Sequence, residues 1–176
     1  WYMAALKFDI DYFVNVDGDD LFCESKLIDM AFKQYDEDDH DFVRCDESKL
    51  VAGIFTFGIK TRSLEKIWKM KDTTDTEASW LYFYDLDFLN SVMLKDIPKV
   101  FYRPEIRATL DYEEDFIFFK TIIDYFYENN VKEYNLEDII SFLDKNPNVI
   151  DINQFRHIEY LTNQKKLNKL SLSEKS

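Results

Sequence analysis

Along this chain, short β-rich apolar runs alternate with segments in which apolar residues return every three or four positions. Tyr12 to Val16 is such a run, and it empties into Asp17-Gly18-Asp19-Asp20, the pattern of a buried strand ending in a polar loop. From Ser25, Leu27, Ile28, Ala31 and Phe32 recur at helical spacing, which predicts a helix fading near Tyr35 before the acidic stretch Asp36 to Asp39. Phe42-Val43 and Val51 to Ile59 read as extended, with Gly53 and Gly58 marking bulges or close backbone approaches. A helix is expected from about Arg62 to Lys69. Ser91 to Leu94 and Ile106 to Leu110 read as strands, the second closing on Asp111.

Two further helices are marked by their ends. Glu113, Glu114 and Asp115 place acid where it favours the helix dipole, ahead of Phe116, Phe119, Ile123 and Phe126. Asn135 caps the stripe Leu136, Ile139, Ile140 and Leu143, and Asn146-Pro147 stops it. The aromatic run Trp80 to Tyr84 fits helix or strand equally. Strands alternating with helices predict an α/β sheet protein without internal repeats or a dividing linker.

Composition narrows the function. With 46% hydrophobic residues in 176, the chain can bury a full core as one domain. A net charge of −13 disfavours a salt-dependent grip on a nucleic-acid backbone. Gly18, Gly53 and Gly58 are too scattered for a dinucleotide or P-loop phosphate cradle. Cys23 and Cys45 lack metal-knuckle spacing, and two isolated thiols suit a reducing cytoplasm. The apolar run Leu50 to Ile59 is too short for a bilayer, and no cleavable leader opens the chain, so no membrane partner is expected. The first residue is Trp1, and the opening reads as the last turns of a helix already under way, which suggests a fragment.

The chemistry concentrates in two acidic segments, Asp17 to Asp20 and Asp111 to Asp115, because ligands of α/β sheets bind beyond the carboxyl ends of strands. Two carboxylates converging there suit Mg²⁺, which takes one or two protein carboxylates and fills its octahedron with waters and phosphates. A solvated acidic loop followed by an ordinary helix N-terminus meets the same spacing, and spacing alone does not separate the two. Gly18 is misplaced for an EF-hand. Arg107, flanked by apolar residues, can pair with an acid of the site or with an anionic substrate. His40 and His157 have no partner nucleophile and read as surface or cap residues. The aromatic run around Trp80 reads as core or subunit interface, and a homodimer through Leu50 to Leu94 is expected.

These segments carry a family resemblance. Asn15 to Asp20, Asp75-Thr76-Glu77, Arg107 to Asp115, and Leu136 to Ile140 with Asn146-Pro147 resemble, in order, the acylneuraminate cytidylyltransferase family, most closely its spore-coat-polysaccharide branch. The likeness runs from Trp1 to about Asn153, and Arg-x-Thr-Leu-Asp-Tyr-x-x-Asp is its most specific part. It implies a three-layer, Rossmann-like nucleotidyltransferase fold in which a sugar is activated with CTP, pyrophosphate leaves and Mg²⁺ assists, in the service of polysaccharide biosynthesis. By position, Asp19 and Asp111 match metal-binding, catalytic aspartates, with Arg107 as a further catalytic candidate. Asp17, Glu77 and Arg107 are candidates for substrate binding. On this reading residues 1–160 are the C-terminal part of a cytidylyltransferase domain and 161–176 a polar tail. The family's nucleotide-binding segment would lie before Trp1, so the isolated chain is expected not to turn over CTP. The alternative is a non-catalytic interaction or dimerisation module retaining the nucleotidyltransferase fold.

Overall fold

The computed structural model describes residues 1–72, 74, 83–84 and 86–167. Its centre is a four-stranded sheet in the order β1 (Tyr12–Asn15), β3 (Phe57–Lys60), β2 (Phe42–Arg44), β4 (Ser91–Met93). β3 runs antiparallel to both β1 and β2, and β4 runs parallel to β2, so β1, β2 and β4 share one direction and deliver their carboxyl ends to one edge.

Side chains alternate across the pleat and divide the core in two. Tyr12 and Val43 face the larger cluster, with Leu27 and Ala31 of α2 (Ser25–Glu37), Phe118, Phe119 and Ile122 of α4 (Glu113–Glu128), and Ile139, Ile140 and Leu143 of α5 (Leu136–Lys145). Phe13, Phe42, Phe57 and Ile59 face a smaller one, with Leu64 and Ile67 of α3 (Thr61–Met70), onto which α1 (Tyr2–Lys7) packs. The sheet is thus the middle of three layers, an α/β architecture. A short α6 (Pro147–Ile150) leads to α7 (Arg156–Leu167), which runs across the expected boundary at residue 160.

Local signals explain the best-placed elements. Asn135 Oδ1 accepts the Asp138 amide at 3.0 Å while Asp138 Oδ2 accepts the Asn135 amide at 3.0 Å, a reciprocal cap. Gly58 lies where a Cβ would meet Tyr12 Oη at 2.0 Å, so β1 and β3 close only around a residue without a side chain.

Three expectations are corrected. Ile106 to Leu110 is extended and largely buried but is not a strand; it forms a single bridge, Ala52 to Arg107. Its partner segment turns away at Gly53, where φ is +84°, so no ladder follows. The predicted extension Val51 to Ile59 becomes β3 only from Phe57, for the same reason. α4 buries Phe118 and Ile122 rather than Phe116 and Ile123, which are exposed. That helix is aromatic or aliphatic nearly all round, so several stripes compete and the neighbouring elements decide.

His40 is not at the surface: it is 1% exposed beside the rings of Tyr12 and Tyr35, and burial lowers its imidazole pKa. Within the expected dimer segment, Leu50, Val51, Ile54, Phe55, Phe57 and Ile59 are all core, while Trp68 and Met93 are exposed. Glu77 and Trp80 to Tyr82 lie outside the described residues.

Candidate active site

At the edge where β1 and β2 end and β3 begins, a cleft of about 340 Å³ opens. β1 leads into Asp17, Asp19 and Asp20, β2 leads to Glu47, and Thr56 stands just before β3; all five line the cleft with Asp111. Across from them, α7 contributes His157 and Tyr160.

Backbone bonds rather than a strand bring Asp111 here. The Ala52 amide donates to Ile106 O at 3.0 Å, Ala108 returns one to Ala52 O at 2.9 Å, and the Leu110 amide donates to Asp19 O at 3.0 Å. Gly53 is what lets these segments meet, because a Cβ there would stand 2.3 Å from Ala108 O and 2.8 Å from Asp20 Oδ1.

The two predicted metal aspartates, Asp19 and Asp111, therefore share one cleft with Asp17. Their charges interact. Burial raises the Asp111 carboxyl pKa, the Arg107 guanidinium pulls it back, and the charges of Asp19 and Asp115 add to the rise. Asp17 is raised by burial, against a bond at 2.7 Å from Asn15 Nδ2. Asp20 is pushed up to about 8, first by burial and then by Asp19 and Asp17. No Lys or Arg is among the described residues lining the cleft, and of its aspartates it is Asp111 that Arg107 reaches from behind.

Arg107 stands behind the cleft rather than in it. It is 1% exposed, and its Nε and Nη2 meet Asp115 Oδ1 and Oδ2 at 3.0 and 3.1 Å while Nη2 reaches Asp111 Oδ2 at 2.5 Å. Asp115, fully buried, also accepts the amides of Asp111 and Tyr112 at 2.9 and 3.0 Å and the Asn153 side-chain amide at 2.9 Å. Asn153 Nδ2 donates in addition to Arg107 O at 3.0 Å. The Tyr160 ring lies 4.6 Å from the guanidinium carbon. Arg107 thus fixes the rotamer of Asp111 and ties the turn before α4 to the α6–α7 connection.

Sequence reading missed Glu47, Thr56, Asn153, His157 and Tyr160. His157, expected at the surface or a cap, lines the cleft with Nδ1 buried and unpartnered, and burial plus the charge of Arg107 lowers its pKa. Helical spacing alone would have placed His157 and Tyr160 on one face three residues apart, but nothing local links that face to residues 17–20.

Among the described residues, no three His, Cys, Asp or Glu side chains are grouped to hold a metal by themselves. A cation that brings waters or phosphates needs less. Arg107 engages one oxygen of Asp111, and Asp19 and Asp111 both line the cleft, so the donors fit Mg²⁺ bound through one or two carboxylates.

The three-layer α/β fold is of the nucleotidyltransferase-like kind. It is similar to the structure of a cytidylyltransferase from Leptospira borgpetersenii serovar Hardjo-bovis, with a TM-score of 0.71 and 22% identity over 85% of this chain and 62% of that one. In sequence it is similar to an uncharacterized protein of Methanocaldococcus jannaschii, 29% identical over 154 residues, which are 87% of this chain and 61% of that protein. The chain spans about three-fifths of the length of both. No family model matches it. No described helix is long and apolar enough to cross a membrane.

Proposed function

We propose that this chain forms the metal and acceptor side of a cytidylyltransferase site that transfers CMP from CTP to a sugar hydroxyl. The observation that carries the reading is the meeting of Asp17, Asp19, Asp20 and Asp111 in one cleft at the carboxyl edge of the sheet, in a fold shared with a cytidylyltransferase. In this reaction the hydroxyl oxygen bonds to the α-phosphorus, the bond from that phosphorus to the oxygen bridging to the β-phosphate breaks, and pyrophosphate departs with the bridging oxygen. Asp19 and Asp111 would hold Mg²⁺, which when bound offsets charge on the phosphates and the leaving group. Arg107 holds Asp111 in place from behind, so it acts as a positioning residue. On this reading the acceptor is oriented by Asp17 and by the α7 wall, both of which line the cleft.

The test is pyrophosphate release from CTP with Mg²⁺ and a sugar panel, run on this chain and on the full reading frame that encodes it. We expect turnover in the full reading frame, and a loss of at least about 100-fold on Asp19→Asn or Asp111→Asn, the scale of removing a catalytic electrostatic contact. No turnover with any sugar, or full activity in both variants, would overturn the assignment.

A further inference from the structure

Resting on that reading, we infer that the acceptor is a hydroxyl-rich sugar without a carboxylate, either uncharged or carrying an amine. The cleft is lined by five carboxylates, from Asp17, Asp19, Asp20, Glu47 and Asp111, and by no described Lys or Arg. A cation held by Asp19 and Asp111 still leaves the acids of Asp17 and Glu47 facing the ligand. Carboxylates accept hydrogen bonds from hydroxyl and ammonium groups and repel another carboxylate.

A second, independent observation points to a polar ligand. Thr56 is 7% exposed, lines the cleft, and its Oγ1 has no hydrogen-bond partner. Buried hydroxyls in folded proteins are nearly always paired, so an orphaned one at a cleft wall marks where a ligand's polar group or a water belongs. A hydroxyl both donates and accepts, as does each hydroxyl of a sugar. The unpartnered Nδ1 of His157 lies on the same cleft. The acids thus select against negative charge, while Thr56 and His157 supply neutral pairing.

The Glu47 carboxylate has its own anchor. Tyr84 Oη donates to Glu47 Oε1 at 3.0 Å, and the Arg44 guanidinium lies 4.4 Å from the Tyr84 ring centroid. Arg44 does not line the cleft, and its charge and the Tyr84 hydroxyl both favour the ionised form of Glu47 against the burial that raises its pKa.

The experiment measures sugar binding by saturation-transfer NMR and calorimetry, with Mg²⁺ and without CTP, on both this chain and the full reading frame. The probes are the gluco, galacto and manno pyranoses, each as the hexose, the 2-amino-2-deoxyhexose and the uronate. In at least one series the neutral or amino form should bind at least about tenfold more tightly than the uronate at low salt, and added salt should narrow the gap. Asp17→Asn combined with Glu47→Gln should bring the amino-to-uronate ratio down at least about threefold. Thr56→Val should weaken both favoured forms while keeping their order. Uronates binding as well as or better than their partners, or no binding in any series, would overturn the inference. Because CTP is absent, a failed CMP transfer leaves this order standing, and a reversed order leaves transfer standing.

Discussion

Two carboxylate clusters lie side by side in this protein and are treated in opposite ways. Around Arg107, Asp115 is fully buried and holds a guanidinium, two backbone amides and the Asn153 amide. A few residues away, Asp17, Asp19 and Asp20 share a cleft lined by no described cation. Asp111 belongs to both, giving Oδ2 to Arg107 while it lines the cleft. The difference teaches that acid content does not mark a site; what marks it is acid whose counter-charge the protein has left out.

The comparison breaks most visibly if the buried arginine is removed. Arg107→Met leaves the Asp115 charge buried and without its cation, which costs about 3–5 kcal/mol. At 2–4 °C per kcal/mol for a domain of this size, thermal unfolding should fall by about 10 °C, and urea unfolding should move in step. A change below about 2 °C would show that Asp115 is neutralised another way.

The cleft acids should respond in the reverse sense, losing function without losing the fold. Asp19→Asn should abolish most turnover in the full reading frame while its Tm stays within about 2 °C of the parent, since a half-buried acid among like charges supports function at no gain in stability. Circular dichroism and pyrophosphate release on the same preparations check this.

Asp20 sharpens the contrast through pH. Its folded pKa of about 8 lies above the ordinary carboxylate value near 4, so the folded state holds this proton more tightly than the unfolded chain does. The stabilisation from that proton is complete below about pH 4 and is lost as pH rises through about 8. Asp20→Asn removes the loss. In EDTA the variant should therefore match the parent near pH 4 and melt clearly higher at pH 9, by more than the 2–4 °C that about 1 kcal/mol produces in a domain of this size. Adding Mg²⁺ to the parent at pH 9 should narrow the gap.

The smallest effect is expected from the arginine next in line. Arg156 pairs with Glu114 at 2.8 and 3.1 Å, geometry as good as that of Arg107, but both side chains keep more than a quarter of their exposure. Solvent screens such pairs, so Arg156→Gln should move Tm by no more than about 2 °C. Equal shifts for Arg107→Met and Arg156→Gln would remove burial as the explanation of the difference.

Local chemistry decided what could be read in the sequence. The Asn135 cap and the strand running into Asp17 are written in adjacent residues, and both stand where expected. The fold class followed from their alternation. Ile106 to Leu110 has strand composition, but whether it pairs depends on a turn at Gly53, more than fifty residues earlier. The buried face of α4 was ambiguous because Phe116, Phe118 and Phe119 lie within four residues of one another. In the site, the aspartates were legible as strand-end acids. Glu47, Thr56 and the α7 pair His157 and Tyr160 come from three separate segments with no shared pattern, and only packing joins them.

Chain order gives the sheet one more consequence. All four strands lie before residue 94, while Arg107, Asp111, Asn153 and Tyr160 come after it. During synthesis the strands are therefore available to pair while the far wall of the cleft has yet to leave the ribosome. The acidic loop after β1 must wait, facing water, for nearly a hundred more residues before Asp111 can reach it. Completion of the cleft then comes well after the sheet can form, and a translational pause just beyond residue 94 would hold the sheet without its site.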